Sequence, residues 1–163
     1  MRGLGKAASS PGRVYFTGGA SALLMKWRDS TIDVDLKMVP EQDSIFRALA
    51  ELKERLEMNI ELAAPDQFIP AIDGWEDRSL FIGIEGPLSF HHYDFYAQAL
   101  SKIERGHARD MKDVNAMIEL GLVQTELALE YFFQIEAELF RYPAIDPPSF
   151  RRAVESIVGS GQP

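Results

Sequence analysis

The chain has 163 residues, of which 17 are Lys or Arg and 25 are Asp or Glu, for a net charge of −8; this is enough for one domain with a core and short for two. The acidic balance argues against holding long nucleic acid by field alone, so no DNA partner is expected, although a few cations and a metal can still hold a nucleotide locally. Cysteine is absent, which excludes disulfides, thiolate zinc sites and cysteine nucleophiles; with no apolar run near the roughly 20 residues that span a bilayer and no apolar h-region over the first 11 residues, a cytoplasmic protein with no membrane partner is expected.

Residues 1–12, rich in Gly, Ser, Ala and Pro, read as a flexible N-terminus, and 13–163 as a single domain. Residues 14–17 read as a short buried strand stopped by Gly18-Gly19. Residues 20–27 are rich in helix formers and read as a helix. Over 31–38, Ile32, Val34, Leu36 and Met38 alternate with Asp33, Asp35 and Lys37, the pattern of a half-buried strand with both aspartates on one face. Pro40 is expected to open a helix of about 17 residues carrying Ile45, Leu49, Leu52 and Leu56 at helical spacing.

Residues 59–63 read as a short strand before Pro65, and 65–79 as an irregular loop. Two further strands are expected over 80–84 and 88–93, joined across Glu85-Gly86-Pro87. From residue 94 the pattern is helical, over about 94–105, 109–120, 124–140 and 147–158, with breaks at Gly106, Gly121 and Pro143. Leu127, Tyr131, Ile135 and Leu139 form a buried stripe, and Phe68, Trp75, Phe81, Phe90 and Phe95 read as core. The expected architecture is α+β: a small mixed sheet with flanking helices over 13–93 and a helical C-terminal part over 94–163.

The chemistry concentrates in residues 16–37. A strand ends at two glycines and a helix follows at once, so the backbone can turn sharply, approach a ligand without side-chain clash and offer helix N–H groups to phosphate. Ser21 either adds a hydroxyl there or serves the helix N-terminus. Asp33 and Asp35 project from one strand face and repel unless a cation sits between them. Mg²⁺, or Mn²⁺ in its place, suits two carboxylates completed by substrate phosphate oxygens. Arg28 and Thr31 lie between helix and strand, where they orient the aspartates, touch phosphate or serve capping and surface roles.

A glycine pair, a helix and an Asp-Val-Asp strand resemble the signature of the DNA polymerase beta-like nucleotidyltransferase superfamily, its minimal members above all. The resemblance implies the nucleotidyltransferase fold, with Asp33 and Asp35 as metal ligands. It also implies a third acid on a later strand, where Ile60-Glu61-Leu62 fits and Glu61 would complete the site near an attacking hydroxyl. Only about 13 residues precede the strand leading to Gly18, so a helix common before it in that family is expected to be missing or reduced.

Residues 94–113 resemble the Lys then Arg-Asp-x-x-Asp pattern of abortive-infection-type nucleotidyltransferases of bacterial toxin–antitoxin and phage-defence systems. By that analogy Lys102 and Arg109 face the nucleotide or its acceptor, with Asp110 and Asp113 near them; the competing reading ties these charges together in salt bridges between helices. The implied reaction moves a nucleoside monophosphate from a nucleoside triphosphate to a hydroxyl of RNA, such as tRNA, or of a protein, with a cognate toxin or antitoxin as a further partner. The alternative is a non-catalytic protein that keeps the fold to bind a nucleotide or partner. His91, His92 and His107 make no zinc or triad set, because adjacent strand histidines point to opposite faces.

Overall fold

The computed structural model describes residues 1–160. Two compact units appear, one made of Met1–Ala64 with Ser79–Tyr93, the other of Pro65–Arg78 with the chain from Asp94 onward. Among the described residues no helix is long and apolar enough to cross a membrane.

The first unit is a five-stranded mixed sheet with helices on one face. Its strands are β1 (Gly12–Thr17), β2 (Asp33–Val39), β3 (Asn59–Leu62), β4 (Phe81–Glu85) and β5 (Leu88–His92), in the order β3-β2-β1-β5-β4. β1 runs antiparallel to β2 and parallel to β5, β2 is parallel to β3, and β4 is antiparallel to β5. The helices of this unit are α1 (Arg2–Ala7), α2 (Gly18–Leu24) and α3 (Asp43–Leu56). The parallel pairing of β2 with β3 requires a crossover, and α3 supplies it.

Alternation along the strands sorts the two faces. Val14, Phe16, Leu36, Met38, Ile60, Leu88 and Phe90 form one core cluster with Leu4 of α1, Ala20 of α2, and Ile45, Leu49 and Leu52 of α3. The alternate residues, including Asp33, Asp35 and Glu61, stand on the opposite face.

Four local readings are corrected. The first 12 residues are not a loose segment throughout: Arg2–Ala7 forms a helix with Leu4 buried, so the helix expected to be missing or reduced is present in short form. Gln42 anchors the following residues, accepting from Ser9 N–H at 3.0 Å and donating to Ser10 C=O at 2.9 Å. α3 starts at Asp43 rather than Pro40, because β2 runs on through Val39. Ile32 lies outside the strand in a bend and is 70% exposed, so the apolar alternation begins at Val34. Finally, 65–78 is ordered as a 3₁₀ turn (Pro65–Gln67) and α4 (Trp75–Arg78) within the helical unit.

That unit comprises α4, α5 (Phe95–Arg105), α6 (Ala108–Glu119), α7 (Thr125–Glu136) and α8 (Pro147–Ser160). Asp94 caps α5 by accepting from Tyr96 N–H at 3.2 Å. Gly106 ends the helix in the left-handed region at φ 66°. Phe132 rather than Tyr131 is the buried centre of α7, edge-on to Phe150 at 4.9 Å. Phe68 and Phe81, expected in the core, are 44% and 61% exposed.

Candidate active site

β1 delivers the chain to Gly18-Gly19, and the two glycines are required for different reasons. Gly18 has φ +57°, the left-handed region that side chains resist, and a Cβ built there would lie 3.0 Å from Asp35 Oδ2. The turn therefore rests directly against the second aspartate. Gly19 has ordinary φ but no room: a Cβ would collide with Thr31 Oγ1 and lie 3.2 Å from Asp33 C=O. α2 then runs only to Leu24, seven residues, so the turn itself, more than a long helix dipole, shapes this corner.

Thr31 sets the entry of β2. Its hydroxyl accepts from Asp33 N–H at 3.2 Å and donates to Asp33 C=O at 3.0 Å, fixing the backbone of the first acid. Asp33 and Asp35 follow on one strand face, both half-buried. Asp35 is flanked in register by Thr17 of β1 and Glu61 of β3. Asp33 lies in register with Asn59, whose Nδ2 donates to Asp33 Oδ1 at 3.3 Å. Neighbouring strands are about 4.8 Å apart, so β2 and β3 put three acids and one amide on a single patch.

Glu61 shares that face and register but stands exposed on the edge strand. Among the described residues no three His, Cys, Asp or Glu side chains form a ready metal cage. Asp33 and Asp35, with Glu61 in register beside Asp35, form a carboxylate set of the kind Mg²⁺ accepts when substrate phosphates and water complete its shell. The close seat of the glycine turn against Asp35 leaves the backbone, not a side chain, beside that position.

The other expected ligand residues sit differently. Ser21 is fully buried; its hydroxyl donates to Phe16 C=O at 2.9 Å and contacts His92 Nδ1 at 3.0 Å, so it faces the core rather than phosphate. Arg28 is half-buried after α2, with its backbone N–H on Ala22 C=O at 3.3 Å. Lys102 and Arg109 belong to the helical unit. The Lys102 ammonium donates to Asp113 at 2.7 Å and Asp110 at 3.2 Å, and Arg105 reaches Asp110 at 2.8 Å. Lys102 is 5% exposed, inside a paired cluster, whereas Arg109 is exposed on α6.

Asn59 was passed over by sequence reasoning, and His92 was weighed there only as a zinc or triad residue. Asn59 becomes visible once β3 is seen to be parallel to β2 in the register Asp35 with Glu61, since residues two apart share a face. His92 carries no such signal; only the tertiary pairing of β5 with β1 brings it to Ser21.

Residues 6–142 match the model of the family DUF6036, described as a nucleotidyltransferase of unknown function, and the chain belongs to that family. No curated protein and no solved structure matches it. Its five-stranded mixed sheet with flanking helices is consistent with a nucleotidyltransferase-type fold.

Proposed function

We propose that this nucleotidyltransferase moves a nucleoside monophosphate from a nucleoside triphosphate to an acceptor hydroxyl with the help of Mg²⁺ or Mn²⁺. The observation that carries the reading is the pair Asp33 and Asp35 on one strand face, with the Gly18 turn seated against Asp35. Like charges held two residues apart beside a glycine turn form a setting that a divalent cation stabilises. The residues that would hold the ion are Asp33 and Asp35, and bound there it would neutralise charge on the transferred group and leaving pyrophosphate.

The chain's own residues supply position and charge. The Gly18-Gly19 turn lets the triphosphate approach without side-chain clash. The acceptor oxygen forms a bond to the α-phosphorus as the bond from that phosphorus to the bridging oxygen breaks. Pyrophosphate leaves with the electron pair, and the hydroxyl proton passes to Glu61 or to water. Most of the rate gain comes from alignment and charge stabilisation. Arg28, in the same unit as the acids, is second in line; Lys102 and Ser21 already use their polar groups within the fold.

The resemblance to abortive-infection-type enzymes supports an RNA acceptor, the hydroxyl of a tRNA end first among them, and a role beside a cognate toxin or antitoxin in a bacterial cytoplasm. A protein hydroxyl is the other acceptor to try. Purified protein incubated with Mg²⁺, each α-labelled triphosphate, and tRNA or candidate proteins should transfer label, and Asp33→Asn/Asp35→Asn should not. Equal labelling by that double variant refutes catalysis by these acids. Triphosphate binding that survives loss of both acids, with no transfer, supports the non-catalytic alternative. Growth arrest on expression alone would mark a toxin.

A further inference from the structure

The corner between β1 and α2 is closed on itself by a chain of buried hydrogen bonds. Ser21 Oγ donates to Phe16 C=O at 2.9 Å, spanning the Thr17–Gly18–Gly19 turn. The same carbonyl accepts Tyr93 N–H at 2.8 Å. A hydroxyl has one proton to give. With that proton committed to Phe16, the 3.0 Å contact of Ser21 Oγ with His92 Nδ1 is made by a proton on the imidazole.

His92 is well placed to hold that proton order. It lies in register with Phe16 in the parallel β1–β5 pair, and its backbone N–H donates to Leu80 C=O at 2.7 Å. His92 is 5% exposed and Ser21 is fully buried. Burial alone pushes the imidazole down to about 4, so it is neutral near pH 7, and one neutral tautomer donates through Nδ1.

We infer that His92 and Ser21 are positioning residues, a relay running His92 Nδ1–H to Ser21 Oγ–H to Phe16 C=O that holds the Gly18-Gly19 turn at its seat against Asp35. The inference rests on the nucleotidyltransferase reading, in which the turn is where the triphosphate approaches. Neither side chain touches the nucleotide. Their effect passes through the turn, where a displacement of about 1 Å is enough to separate phosphate from its metal carboxylates and cost orders of magnitude.

The test measures dissociation constants of the four ribonucleoside triphosphates with Mg²⁺ by calorimetry. Wild type is compared with Ser21→Ala, His92→Phe, His92→Asn and the double variant Ser21→Ala/His92→Phe. Melting temperature and hydrogen exchange of residues 17–21 without ligand are followed in parallel. His92→Phe and Ser21→Ala should each weaken binding about tenfold, and the double variant no further, because both cut one chain. His92→Asn, whose amide N–H can replace the imidazole donor, should stay within about threefold of wild type and restore slow exchange over 17–21.

Additive losses, or equal weakening by His92→Phe and His92→Asn, overturn the relay. So does unchanged affinity in His92→Phe accompanied only by a lower melting temperature. If wild type binds no triphosphate, the nucleotidyltransferase reading fails and the relay's role falls with it; if wild type binds and His92→Phe binds as well, the relay alone fails.

Discussion

The two units use charge in opposite ways. In the helical unit, opposite charges are matched and buried: Lys102 is clasped by Asp110 and Asp113. Arg78 reaches Asp94 at 2.8 Å while its guanidinium lies 4.4 Å from the Tyr131 ring centre. These groups are neutralised by their own neighbours, the arrangement expected of charges that hold helices in place. In the sheet unit, two carboxylates of the same sign are held half-buried on one strand face beside a glycine turn, and Asp33 accepts from the neutral amide of Asn59. Matched charge of this kind holds helices in place, while the like-charged pair is where the proposed function puts a cation.

The largest separation between the two should come from neutralising each in turn. Asp33→Asn/Asp35→Asn should lower nucleotidyl transfer by about 10³-fold or more while leaving the denaturation midpoint unchanged or raised, since repulsion is removed. Lys102→Met should do the reverse, costing about 3–5 kcal/mol in urea unfolding by removing the buried cation that Asp110 and Asp113 share, with transfer per folded molecule little changed. A Lys102→Met protein of normal stability and weak triphosphate affinity would move that lysine from architecture into the site.

A smaller effect concerns His92 in the sheet unit. Its imidazole is pushed from the ordinary 6.5 to about 4 by burial. The unfolded chain therefore takes up a proton below about pH 6.5 that the folded chain accepts only near 4, so stability falls as pH drops through that window and is fully present above it. The gap corresponds to about 3 kcal/mol. Unfolding free energies at pH 7 and pH 4 should differ by less in His92→Asn than in wild type, the carboxylates being common to both. An equal difference would show that His92 titrates normally. Least affected should be Glu61→Gln, with a loss of about tenfold in transfer and none in stability, because this exposed side chain lies at the edge of the patch.

The acid-bearing strand and the glycine turn were legible because their signals are local. Alternation placed Asp33 and Asp35 on one face, and a Gly pair between an apolar run and helix formers announced the turn. Ser21 was not legible: its hydroxyl is claimed by a carbonyl five positions earlier and a histidine 71 positions later. Lys102 and Arg109 read either as nucleotide contacts or as salt-bridge partners, and the sequence left the choice open: it is the turn at Gly106 that brings the acids of α6 onto Lys102. The short α1 escaped because Gly3 and Gly5 are poor helix formers; it is the burial of Leu4 in the core cluster that holds it. Segment 65–78 looked like a loop for a related reason, since its anchors, such as the Tyr142 hydroxyl on Asp66 C=O at 3.1 Å, lie far along the chain.

The central claim is that Asp33, Asp35 and the turn before them receive a divalent cation together with a triphosphate. Calorimetric titration of the unmodified protein with each ribonucleoside triphosphate, with and without Mg²⁺, tests it most directly when repeated on Asp35→Asn. The account predicts Mg²⁺-dependent binding of at least one triphosphate that weakens at least tenfold, about 1.4 kcal/mol, in the variant. Binding indifferent to Mg²⁺ and to Asp35, or no binding of any of the four, would contradict it.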